Sequence, residues 1–116
     1  MKTVSVIILG MGLILVNSCI KQKPVVPQVS NCDNVKFSTT IKPIIEANCV
    51  SCHVQGNGPG DFTTYAGILV KVQNGSFRAR VIHENTTFQP MPPSGKLPND
   101  QIAKIQCWLD AGAPNN

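Results

Sequence analysis

At 116 residues, 42% apolar and 14% charged, the chain holds one small domain and no more. Its formal charge of +4 is scattered, with no basic run and no alternation of basic and aromatic residues, so no nucleic-acid footprint is present. Only 5% of residues are aromatic, a thin supply for a core, which fits a core completed by something other than protein.

Residues 1–18 read as an export signal. Lys2 gives a positive start, and residues 4–16 form an apolar run of signal-core length, short of the about 20 residues that cross a bilayer. The run ends in Val16-Asn17-Ser18-Cys19, which resembles the lipobox of bacterial lipoproteins. That resemblance implies cleavage before Cys19 and its acylation; plain secretory cleavage with Cys19 incidental is the alternative. Residues 19–31 set Pro24 and Pro27 among Lys and Gln, show no periodicity, and read as a tether.

The folded part begins at Cys32. A helix is predicted from Ser38 or Thr39, either of which can cap it, with Pro43 in its first turn and Ile41, Ile44 and Ile45 at helical spacing. It leads into Cys49-Val50-Ser51-Cys52-His53, the attachment pattern for c-type haem. Two thiols add across the two vinyl groups of the porphyrin to give two thioethers, and the two-residue spacer presents both sulfurs to one edge of the ring. His53 then lies under the iron as proximal ligand. Two other chemistries compete. A zinc site would use Cys49 and Cys52, but His53 is adjacent to Cys52, and His83 stands alone without the spaced second pair of strong zinc signatures. A thioredoxin-like dithiol needs a strand before the motif and a βαβ pattern around it, and neither is evident.

Residues 54–63 form a loop, punctuated by Gly56, Gly58, Pro59 and Gly60. The glycines either let backbone pass close to a haem edge or simply make a flexible turn. Thr63 or Thr64 caps a helix through Tyr65, Ala66, Ile68, Leu69 and Val72 that stops at Asn74-Gly75. Phe77, Val81 and Ile82 predict a short apolar segment before a polar break at residues 84–87. Gln89-Pro90-Met91-Pro92-Pro93 cannot be helical. Met91 is the only methionine outside the leader, and the prolines limit the freedom its loop must lose. An isolated, rigidly presented thioether suits a sixth iron ligand. Filling a core gap is the plainer fate of a methionine, and His83 competes for the same position.

Residues 99–111 form the last helix, opened by Pro98 and Asp100 and stopped by Gly112. Ile102, Ile105, Trp108 and Leu109 share one face, expected to pack on the first helix. Cys107 projects from nearly the opposite face. With Cys49 and Cys52 taken by haem and Cys19 by lipid, Cys32 and Cys107 are left over in an oxidising compartment. They are expected to form a disulfide; two free thiols or an intermolecular bridge are the alternatives.

Over about residues 35–114 these features resemble the small class I c-type cytochromes. Ile41-Lys42-Pro43-Ile44-Ile45 before Asn48 and the Cys49–His53 motif is similar to their first helix and haem site. Met91-Pro92-Pro93-Ser94-Gly95-Lys96-Leu97 is similar to their ligand loop, and Ile102 to Ile105 with Trp108-Leu109-Asp110-Ala111-Gly112-Ala113 to their closing helix. The pair Cys32 and Cys107 lies outside that family's usual pattern. The resemblance implies an all-α fold: a small cytochrome c-like helical domain, here residues 32–116, wrapped around one covalently attached haem, with first and last helices in contact. The expected function is a monohaem electron carrier with iron held by His53 and Met91. It would be lipid-anchored in the bacterial cell envelope, face the periplasm and exchange electrons with redox partner proteins. Ile20, where some lipoproteins carry a retaining aspartate, points toward the outer membrane. No nucleophile–base set or carboxylate pair suggests an enzyme. The alternatives are a haem-based small-ligand binder or sensor in which Met91 is displaced, a subunit feeding electrons to a larger oxidoreductase, and a structural lipoprotein with a metal or dithiol site.

Overall fold

The helix expected from Ser38 or Thr39 begins earlier and in another form. In the computed structural model, which describes residues 32–83 and 87–116, Lys36 is extended and Phe37–Ile41 make a single π-type turn. That turn runs directly into α1, Lys42–Asn48. Ser38 and Thr39 sit inside the turn, and no side chain of its N-terminal residue caps it. The reason lies far along the chain. The Phe37 N–H donates to the Asn116 side-chain oxygen at 2.8 Å, and the Ser38 N–H donates to the Asn116 carbonyl at 2.8 Å. A distant residue thus meets the orphan donors that a local cap would serve. Pro43 stands in the first turn of α1, where its missing N–H breaks no bond.

Thr64 caps α2, Tyr65–Gln73, with its Oγ1 accepting from the Gly67 N–H at 3.2 Å. Asn74 closes α2, and Gly75, at φ +76°, turns the chain at once into α3, Ser76–Val81. The apolar segment expected at Phe77, Val81 and Ile82 is this short helix. The last helix, α4, is Asn99–Asp110, with Pro98 before it and Gly112 after it. The described residues are all-helical apart from turns and loops, with no strand. No helix among them is long and apolar enough to cross a membrane. The expected leader over 1–18, lipidation at Cys19 and tether over 19–31 lie outside the described residues.

The core is assembled from all of these elements. Ile41, Ile45, Ile68, Ile102, Ile105 and Trp108 are its largest fully buried side chains. Phe37 meets Tyr65 edge-on at 5.0 Å between centroids, and Phe77 meets Trp108 edge-on at 6.4 Å. α4 packs on the π-type turn and on α3, so the expected contact of first and last helices falls mainly on the turn. From α1 itself, the Asn48 side chain donates to Gln101 Oε1 at 3.4 Å. Arg78 of α3 pairs with Asp110 of α4. Residues 113–116 then fold back over the core. The Tyr65 hydroxyl donates to the Ala113 carbonyl at 2.7 Å, and the Trp108 indole N–H donates to the Pro114 carbonyl at 2.9 Å. On the other face of α4, Cys107 meets Cys32 at disulfide distance, with Cα atoms 5.4 Å apart, which is the expected pairing.

Candidate functional site

The end of α1 shapes the cysteine motif. The Cys49 N–H continues the helical ladder to the Ile45 carbonyl at 2.9 Å. The N–H groups of Cys52 and His53 then both donate to the Cys49 carbonyl, at 3.2 and 3.0 Å. One acceptor therefore winds the whole motif into a single tight turn. The Phe62 N–H donates to the His53 carbonyl at 2.8 Å, which closes the glycine-rich loop. The Phe62 ring stacks on the His53 imidazole, with centroids 4.2 Å apart and planes within 8°. The base of that loop lies hard against α2: a β-carbon on Gly67 would fall 1.7 Å from the Asp61 carbonyl oxygen.

The methionine stretch is held by α3. The Met91 N–H donates to the Arg80 carbonyl at 3.1 Å. The Arg80 guanidinium donates to the Gln89 carbonyl at 3.0 Å and lies over the Phe88 ring, 5.2 Å from its centroid. Met91 itself is half-buried against the core.

A cavity of about 730 Å³ brings the two stretches together. Cys49, Cys52, His53 and Met91 all line it. Its volume is that of a cofactor site, about 300–1,000 Å³. Ile45, Phe62, Phe77, Val81, Leu97 and Ile105 supply apolar walls. Lys71 and Arg80 are its lysine and arginine, and no Asp or Glu lines it among the described residues. His83 does not line it. That residue stands at φ +60° with its Nε2 buried and unbonded, so nothing in the geometry favours it as a rival to Met91.

The electrostatics sort the competing chemistries. Burial lowers the His53 pKa from 6.5, with the Gly60 backbone opposing and the Lys71 charge adding to the effect. The lowered pKa favours the neutral ring, the form that binds a metal. Both motif cysteines are free thiols, and burial pushes Cys49 up to about 11. Cys49 also sits at the C-terminal, negative end of α1. A dithiol redox centre needs the reverse, a low-pKa thiol at a helix N-terminus, which counts against the thioredoxin-like alternative. Among the described residues no group of three or more His, Cys, Asp or Glu is placed to hold a metal ion. One histidine with one methionine, two thiols and two cations around an apolar space fit a haem, whose iron needs only two protein ligands and whose propionates are anionic.

Sequence reasoning named neither Phe62 nor Lys71 and Arg80. Phe62 carried a faint signal, as one of only four phenylalanines and close after the motif. Arg80 carried none, because its hydrogen-bond partners are backbone groups, which no sequence pattern marks. No protein-family model, curated protein or solved structure matches this chain.

Proposed function

We propose that the chain is a monohaem c-type cytochrome, an electron carrier held at the membrane by lipid on Cys19 and facing the periplasm. Cys49 and Cys52 would carry the thioethers of a bound haem, and His53 and Met91 would hold its iron. The observation that supports this most is the apolar cavity that gathers those four side chains with Lys71 and Arg80 and, among the described residues, no carboxylate. A haem bound there supplies a one-electron iron couple. The residues of the chain do the rest. Stacking on Phe62 fixes the plane of the His53 ring. Lys71 and Arg80 offset the propionate charge. The apolar walls keep water out, which favours the less charged, reduced state, as does the soft sulfur of Met91. With His53 and Met91 both engaged, no position is open for a substrate, so the role is electron transfer to and from partner proteins rather than turnover.

The test is production in a host that matures c-type cytochromes, followed by intact-mass measurement under denaturing conditions. The expected mass is the polypeptide plus one haem, with low-spin absorption in the reduced state. Replacing Cys49 and Cys52 together by alanine should remove the covalent increment. A colourless product with the mass of polypeptide alone overturns the proposal.

A further inference from the structure

The stretch around Met91 is not itself helical, and its own sequence removes most of its means of attachment. Pro90, Pro92 and Pro93 have no N–H, so Met91 carries the single backbone donor between residues 90 and 93. That donor goes to the carbonyl of Arg80 at 3.1 Å. The guanidinium of the same residue donates to the Gln89 carbonyl at 3.0 Å and covers the Phe88 ring at 5.2 Å. Three ties from consecutive parts of one loop thus converge on a single residue. That residue is itself well founded: it lies on α3 between the buried side chains Phe77 and Val81.

We propose that Arg80 is a positioning residue for Met91, a clamp that sets how firmly the thioether is held toward the iron. This rests on the reading of the cavity as a haem site. The carbonyl tie survives any substitution, so the guanidinium is the adjustable half of the clamp. Without it the Gln89 carbonyl and Phe88 are released, and Met91 keeps one bond to α3 while its loop gains freedom to lose again on ligation. Arg78, on the same helix, pairs with Asp110 of α4. Its replacement separates clamping from general loosening of α3.

The experiment is titration of the ferric, haem-loaded protein with imidazole, which displaces a weakly held sixth ligand. In parallel, amide hydrogen exchange is followed by mass spectrometry over residues 87–95. Arg80→Ala should bind imidazole roughly tenfold more tightly than wild type and exchange faster in that segment, in line with loss of a charge-assisted hydrogen bond. Arg80→Lys, which keeps a cation and a donor, should recover most of the difference. Arg78→Ala should leave imidazole binding at the wild-type level. If Arg80→Ala does not accumulate, Arg80→Gln serves in its place, with a smaller shift in the same direction. Wild-type affinity in Arg80→Ala or its Arg80→Gln stand-in, or an equal shift in Arg78→Ala, overturns the clamp while leaving the haem reading intact. A wild-type chain isolated without covalent haem overturns both.

Discussion

Asp61 shows how a side chain outside the core can still matter to the site. Its Oδ1 accepts from the Thr63 hydroxyl at 2.5 Å and from the Thr63 N–H at 2.9 Å. These two bonds, the hydroxyl first, hold its carboxyl below the ordinary value of 3.8. A depressed folded-state pKa contributes stability that is present above the unfolded value and is lost as pH falls through the folded one. Asp61→Asn should therefore lower the melting temperature at neutral pH, and its gap from wild type should close as the pH is taken below about 4. Thermal melts at the two pH values check this; a gap that widens in acid would contradict the assignment. The residues of the candidate site were legible in proportion to how far their chemistry depends on side-chain type. Cys49, Cys52, His53 and Met91 announce themselves by rarity and register, and one cavity gathers them. Arg80 was illegible because any residue offers a carbonyl like the one that accepts from the Met91 N–H, and any residue could offer the one at Gln89 to which its guanidinium donates.

Among the elements, α2 is the support on which the motif loop rests. Its Gly67 lies in the first turn of the helix, where alanine is ordinarily the better helix former. Here the balance reverses, because an alanine β-carbon would overlap the Asp61 carbonyl, a backbone atom with no easy escape. Gly67→Ala should cost about 1–3 kcal/mol, a drop of several degrees or more in melting temperature for a domain of this size. It should also shift the His53–Phe62 stack, since Asp61 precedes Phe62 directly. Calorimetry and the near-ultraviolet circular dichroism of the aromatic residues measure the two effects. The α2 boundaries were readable from Thr64 and Asn74-Gly75 because those signals are local. The start of the first helix was misread for the opposite reason. Its cap, Asn116, lies 79 residues away, and a local rule assigned the task to Ser38 or Thr39.

At the scale of the molecule, the resemblance to small c-type cytochromes implied the all-helical class, and apolar periodicity made the buried face of α4 legible, with Ile102, Ile105 and Trp108 all inside. The return of residues 113–116 over Tyr65 and Trp108 was not legible, since its bonds run from side chains to backbone carbonyls. The Cys32–Cys107 link closes a span of 75 residues, for which the chain-entropy model gives about 4 kcal/mol as an upper-end value. Replacing both cysteines by alanine should lower the unfolding free energy from denaturant titration by up to that amount, and wild type should show no titratable Cys32 or Cys107 thiol before reduction. Where that link sits also determines how the domain bears a pull. Tension on the chain upstream of Cys32 passes through the sulfurs into α4 before it can peel Phe37 from Asn116, so α1 and the cysteine motif at its end are spared the strain, as a cable grip spares a solder joint.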